Sequence, residues 1–191
     1  MNKEKLSPIK KVAIKLKNTG FLHIFGSSTI NKIVGFASSI VLVRLISKTE
    51  YGIFSYANNL LNFFMIACGL GSASGILQMC SENRDEREKV LLYNYASRSS
   101  FLINCGLSII ILLVSLFVPL QIEGANFCLG IMAFLPIFSY TFEMQTFYLR
   151  TQRRNKDYSY SNTFSSLTIF ILTCCFSYFF QVNGLVVAKY I

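Results

Sequence analysis

Apolar residues run through this chain in long stretches divided by short polar breaks, and the lengths of those stretches predict its elements. A helix that crosses a membrane needs about 20 residues, and five stretches reach that length: 20–46, 53–79, 95–120, 127–150 and 160–181. A sixth opens at Val182 but has only ten residues by Ile191, too few to cross, so the sequence is expected to be the N-terminal part of a longer protein. Ahead of the first stretch, Leu6, Ile9, Val12, Ala13 and Leu16 recur at helical spacing, with Lys10, Lys11, Lys15 and Lys17 largely off that face. Residues 1–19 therefore read as a cytoplasmic basic amphipathic helix on the membrane surface; a basic tail without regular structure is the alternative. The predicted fold class is all-α, a polytopic membrane bundle over 20–191 with about five complete transmembrane helices and the start of a sixth.

The polar breaks differ in charge. Fourteen of the eighteen Lys and Arg fall in three patches, Lys3–Lys17, Arg84–Arg98 and Arg150–Lys156. The alternate breaks, Ser47–Gly52, Gln121–Asn126 and the one near Gln181–Gly184, carry one Lys and no Arg. Basic loops collect on the cytoplasmic side of a membrane protein, so a multi-pass protein of an inner or plasma membrane is expected, with its N-terminus in the cytoplasm. Its basic loops would meet the anionic lipids of that leaflet. A net charge of +9 could suggest nucleic acid, but it sits at membrane-flanking positions and no segment offers a soluble fold to display it. With 14% charged and 53% hydrophobic residues, an ordinary soluble domain is excluded.

Cys68, Cys80, Cys105, Cys128, Cys174 and Cys175 lie in or at the ends of apolar stretches, without a C-x-x-C pair, and His23 is the lone histidine. Zinc and redox centres need clustered ligands, so no metal or cofactor is expected and the thiols read as small packing groups. The first apolar stretch is of helix length rather than the short core of a cleavable signal peptide. No G-x-S-x-G, P-loop or metal-ligand cluster is present, and an enzyme is not expected.

Polar side chains within the apolar stretches carry the functional signal, because each is costly in lipid unless it faces another helix or water. In the first stretch Ser28, Asn31, Lys32, Gly35 and Ser39 share one helical face. Lys32 lies midway, too deep to snorkel, and is a candidate for holding an anion in a cavity, with an ion pair to another helix as the alternative. The second stretch aligns Ser55, Asn58 or Asn59, Asn62 and Gly69, where the asparagines suit either interhelical hydrogen bonds or cavity lining. Gly71 and Gly75 form a small-x-x-x-small step expected to let two helices approach closely. In the fourth, Ser139, Glu143, Thr146 and Arg150 share a face, and Pro136, one turn earlier, is expected to kink the helix. Glu143 lies about 10 Å along the axis from Arg150, near the boundary; it reads as a partly solvated acid with a structural partner, or as a coupling site. Arg44 and Lys48 reach headgroups, and Glu50 is placed to pair with Lys48.

The segment Arg44-Leu-Ile-Ser-Lys-Thr-Glu-Tyr-Gly52 resembles the R-L-[LI]-[ST]-x-x-[ED]-[YF]-G segment of bacterial polysaccharide biosynthesis membrane proteins, the Wzx-type flippases of O-antigen and exopolysaccharide. Gly69-Leu-Gly71 and the tail Asn183-Gly184-Leu-Val-Val-Ala look similar to later parts of that family. The resemblance implies structural roles for Arg44, Glu50, Tyr51 and Gly52. It also implies membership of the multidrug/oligosaccharidyl-lipid/polysaccharide exporter (MOP) superfamily, with a MATE-like fold of about 12 to 14 helices in two bundles around a cationic cavity that alternates its access. The implied substrate is an undecaprenyl-pyrophosphate-linked oligosaccharide. Lys32-Ile-Val-Gly35-Phe36-Ala followed by Arg44 is also similar to the first helix of the lipid II flippases, whose basic residue at the Lys32 position lines the substrate cavity. Those flippases carry a second basic residue where this chain has Ser38.

These readings converge on a transporter whose cavity candidates are Lys32, Asn31, Ser28, Ser39, Asn58 and Asn62, with Glu143 and Arg150 as a coupling or ion-pairing couple. A multidrug or cation exporter would want carboxylates within the membrane, and Glu143 stands alone and shallow. A glycan-modifying enzyme would need a catalytic set on a large loop. A non-transporting subunit of a glycan-assembly complex is the remaining alternative. Expected partners are the lipid-linked oligosaccharide, membrane lipids, and the C-terminal half of the protein or the glycan polymerisation machinery. Lys32→Ala in the full-length protein is expected to abolish surface glycan export while leaving membrane insertion intact; normal export in that variant would remove Lys32 from the substrate path.

Overall fold

Local sequence signals set where two of the helices begin. Ser47 caps one of them: its Oγ accepts from the Glu50 amide at 3.3 Å and donates to the Glu50 carboxylate at 3.2 Å, so the side chains of an S-x-x-E start close on each other. Glu50 is thus engaged by Ser47, and the pair with Lys48 expected from sequence is not among the ion pairs of the described residues. Asp85 caps another by accepting from the Glu86 amide at 3.0 Å, and Glu86 and Glu88 in its first turn favour the positive end of the helix dipole.

The computed structural model describes residues 21–82 and 84–190, so the amphipathic segment expected over 1–19 lies outside them. The described helices are α1 (Phe21–Leu45), α2 (Lys48–Met65), α3 (Ser72–Ser81), α4 (Glu86–Phe117), α5 (Ala125–Met132), α6 (Leu135–Thr151) and α7 (Asn155–Ala188), with no strand among the described residues. They compose five spans long and apolar enough to cross a membrane: α1, α2 with α3, α4, α5 with α6, and α7. The protein is an all-α, multi-pass membrane bundle.

Three of the expected boundaries change. The third span starts at Glu86 rather than at residue 95, because its capped and charged first turns are helix and not loop. Its 32 residues make a rod of about 48 Å against a hydrocarbon core of about 30 Å, so the charged turns stand outside the apolar layer. The fourth span is two helices, with the break at Ala133–Phe134, and Pro136 lies in the first turn of α6 rather than kinking a continuous helix. The second span breaks at Gly69, Leu70 and Gly71, with φ of 60°, 46° and 75°.

Gly71 and Gly75 do not provide the close helix approach read from their spacing: a Cβ at either would meet nothing within 4 Å. Gly69 provides it, since a Cβ there would lie 2.3 Å from the Tyr140 ring. The freed backbone at the break is satisfied within the bundle, as hydrocarbon demands. Asn104, fully buried on α4, accepts from the Gly69 amide at 3.1 Å. Next to it the Ser72 hydroxyl lies 2.6 Å from Tyr140 Oη and accepts from Ser100 at 2.6 Å.

At the other end of α4, Asn126 closes the turn into α5. Its amide donates to the carbonyls of Ser115 and Val118 at 2.8 and 2.7 Å, and its oxygen accepts from the Leu120 amide at 3.2 Å. The chain then bends sharply at Gln181 (φ 53°, ψ −128°) within α7. Residues 182–190 turn back onto the bundle. Gly184 comes so close to the Phe176 carbonyl that a Cβ would lie 2.1 Å from its oxygen, Leu185 and Val186 enter the core, and the Tyr190 hydroxyl donates to the Ile131 carbonyl.

Two apolar clusters stack along the bundle. The larger joins Leu42, Ile46, Phe54, Leu61, Ile111, Leu129, Met132, Leu185 and Val186 toward the end bearing Arg44. The smaller joins Ala73, Ile76, Cys80, Tyr140 and Met144 toward the end bearing Arg84 and Arg150. Helix α1 packs along α7 and only lightly on α2, so most of its surface remains bare.

Asn104→Ala is expected to cost about 1–3 kcal/mol, the penalty for a buried donor left unsatisfied, and to lower the melting temperature of the detergent-purified protein by several degrees. Asn62→Ala, at an exposed position, is expected to stay within about 0.5 kcal/mol of the parent. Equal melting of the two variants would show that the Gly69 amide does not depend on Asn104.

Candidate functional site

The polar groups that converge do so between α1, α6 and α7. They line a cavity of about 580 Å³ together with Lys189 and Tyr190 of the returning tail. Helix α1 contributes Asn31, Gly35 and Ser38; α6 contributes Ser139, Thr141 and Gln145; α7 contributes Asn162, Ser165 and Ser166. Val34, Phe138, Phe142, Ile169 and Phe170 complete the wall with apolar surface. Asn31 lies near the middle of α1, about 15 Å along the axis from Phe21 and 21 Å from Leu45, so the cavity reaches mid-membrane depth. One and two turns beyond Ser38, Leu42 and Ile46 enter the larger apolar cluster, which separates the cavity from the Arg44 end.

Lys189 supplies the positive charge. Its ammonium donates to Asn58 Oδ1 and lies 4.9 Å from the centre of the Phe54 ring. Neither partner is an anion, so neither neutralises the ammonium. Among the described residues no carboxylate lines the cavity. Asn31 Oδ1 is buried without a hydrogen-bond partner. A wall of hydroxyls, amides and one ammonium suits an anionic or polyhydroxylated ligand over a cationic one.

The residues singled out from sequence fall into three groups. Asn31 lines the cavity, and Asn58 reaches it through Lys189. Lys32, Ser28 and Ser39 on α1 and Asn62 on α2 are exposed outside its lining; Ser39 donates to the Gly35 carbonyl at 3.0 Å, one turn back. Lys32 follows Asn31 directly and so points about 100° away from it around the helix, onto the face of α1 that α7 leaves bare. Lys32 is therefore joined at mid-membrane depth by a second cation, Lys189, which the sequence reading took as part of an opening sixth helix.

Glu143 is exposed, and among the described residues it has no ion pair with Arg150. The Arg150 guanidinium stacks instead on Phe147 and Tyr158, 5.3 and 5.2 Å from the ring centres. In the Arg44–Gly52 segment, Arg44 and Gly52 are exposed, Glu50 completes the cap and Tyr51 packs on the core. That segment shapes a helix junction and contributes nothing to the cavity lining.

Sequence reasoning also missed Asn162, Ser165 and Ser166. Their signal was present: they are spaced three and four apart in an otherwise apolar stretch, the criterion that found the stripe of the first helix. Lys189 was equally visible as a single charge after Leu-Val-Val-Ala, but its position depends on the bend at Gln181.

A family model described as polysaccharide biosynthesis protein matches residues 16–190. Comparison with curated proteins and with solved structures found no match.

In a protein freed of its native cysteines, Ser139→Cys and Asn162→Cys are expected to react with a membrane-impermeant thiol reagent several-fold faster than Leu102→Cys, which is exposed on the apolar surface of α4. Equal rates at all three positions would mean that water does not fill the cavity.

Proposed function

The chain belongs to the polysaccharide biosynthesis protein family, and on that premise we propose that it forms part of a flippase that carries undecaprenyl-pyrophosphate-linked oligosaccharide across the bacterial inner membrane. The observation that carries this reading is the polar cavity at mid-membrane depth, which holds Lys189 and, among the described residues, no carboxylate. A pyrophosphate can leave water for the membrane interior only where positive charge and hydrogen-bond donors replace its hydration. Lys189, with Lys32 one face away on α1, supplies such charge, and the serines and amides of α6 and α7 supply donors.

The cavity volume is within the range of small-ligand sites, about 300–1,000 Å³. It suits the pyrophosphate and the first sugar rather than a whole repeat unit. A second helical bundle, from the C-terminal half of the protein or from a partner chain, would supply the opposite wall. The polymerisation machinery would then take the flipped product.

The orientation proposed puts the Arg84 and Arg150 end in the cytoplasm, following the bias of basic loops. The larger apolar cluster closes the Arg44 end, so this conformation would face inward, and alternating access in a MATE-like fold of the MOP superfamily would proceed by opening that cluster. A multidrug or cation exporter is disfavoured by the absence of a carboxylate from the cavity lining, and no bond-making chemistry is assigned. The remaining reading, a non-transporting subunit, is separated from a flippase by translocation itself.

Lys189→Ala is expected to reduce export of surface glycan at least tenfold with normal protein in the membrane, and Lys189→Arg to retain part of it. Glu143→Gln is expected to leave export unchanged. Full export by Lys189→Ala, or its loss in Glu143→Gln, would overturn this assignment.

A further inference from the structure

Arg150 is held by aromatic rings, where three other cations at its end of the bundle are held by carboxylates. Arg84 pairs with Glu82 at 2.9 Å, Lys89 with Glu86 at 2.9 Å and Arg154 with Asp157 at 2.7 Å. Arg150 has no carboxylate partner among the described residues. Its guanidinium lies over two aromatic rings, 5.3 Å from the centre of Phe147 and 5.2 Å from that of Tyr158. Phe147 is itself fixed, because it packs on the cluster of Ala73, Ile76 and Met144. Aromatic flanks fix the plane of a guanidinium without using its N–H groups. Arg150 is half-exposed and no hydrogen bond among the described residues uses its guanidinium donors, an arrangement matched to a doubly accepting oxyanion such as a phosphate.

The position of Arg150 connects it to the cavity. Gln145, in the cavity wall, lies about 7.5 Å deeper along α6. The Tyr158 hydroxyl accepts from Asn162 at 3.3 Å, and Asn162 also lines the cavity. The ring beneath the guanidinium is therefore hydrogen-bonded to the wall of the translocation path. Arg153 and Lys156 follow within the same turn region, both exposed and without an acidic partner among the described residues.

From this the geometry points to a membrane-facing phosphate site at Arg150, at the mouth of the cavity, which docks the phosphate of a lipid before it moves inward. The site rests on the flippase reading for the onward path but not for the binding itself. Two lipids present the same chemistry, the pyrophosphate of the undecaprenyl substrate and the phosphodiester of an anionic phospholipid.

The test is lipid binding by the purified full-length protein, by native mass spectrometry, with undecaprenyl pyrophosphate, phosphatidylglycerol and inorganic pyrophosphate as three separate probes. Arg150→Gln is expected to weaken undecaprenyl pyrophosphate binding about tenfold, the loss of one charge-assisted bidentate contact. Arg150→Lys keeps the charge without the fork and is expected to fall between the two, as is Tyr158→Leu, which removes half of the stack. Arg154→Ala, whose guanidinium pairs with Asp157, is expected to bind as the parent does, and equal melting temperatures would exclude unfolding as the cause.

Loss confined to undecaprenyl pyrophosphate would identify the substrate as the ligand. Loss for phosphatidylglycerol as well would identify a general lipid-phosphate site, and loss for inorganic pyrophosphate too would show that the lipid tail is dispensable. Parental binding of all three probes by Arg150→Gln would overturn the site. Glycan export scored in the same variants keeps the two proposals apart: binding without any export by the parent would defeat the flippase reading and leave the phosphate site standing.

Discussion

In hydrocarbon a backbone N–H released from its helix has no water to turn to, and the architecture turns on one such group, the amide of Gly69. Asn104 meets it at 3.1 Å from a fully buried position on α4. Tyr140 covers the same glycine so tightly that no side chain fits there, and the Ser100–Ser72–Tyr140 contacts tie α4, α3 and α6 around the break. Three spans are thus locked together at one point by polar contacts rather than by apolar area, which in lipid offers little drive for helices to associate. The break also lets α3 change direction against α6. That contact builds the smaller apolar cluster, on which Phe147 rests.

The number of spans and their order were legible in the hydropathy of the chain, because crossing a bilayer sets a length that composition alone can meet. The interruptions were less legible. Gly71 read from its spacing as packing surface, and only the positive φ values at Gly69 and Gly71 reveal the break. Pro136 was a sound signal of a discontinuity, placed about one turn late, since proline is well tolerated in the first turn of a helix and starts α6 rather than bending it. The acidic and basic residues after Asp85 were read as loop because charge is costly in lipid, yet a capped helix can carry them beyond the membrane surface.

The candidate site was legible in part, and for a related reason. Periodicity marks which face of a helix is polar but not which neighbour that face meets. Asn31 and Lys32 belong to one polar stripe, and α7 covers the first and leaves the second bare. The stripe of Asn162, Ser165 and Ser166 obeys the same rule as that of the first helix and went unused. Lys189 could be placed only through the bend at Gln181, a backbone geometry that no residue type there announces.

The nearly exclusive contact of α1 with α7 bears on how the molecule is made. About 110 residues separate the end of α1 from the start of its partner, which at synthesis rates of roughly 5–20 residues per second is a wait of roughly 5–20 s. During that interval α1 has no companion for its length, and Lys32 and Asn31 sit at mid-bilayer depth on a solitary helix. Leu185 and Val186, which follow the bend at Gln181, join the larger apolar cluster only once that fifth span has been made. Among the described helices, then, the first to be made is the last to find its partner, and α1 must wait for the fifth span before its length is packed.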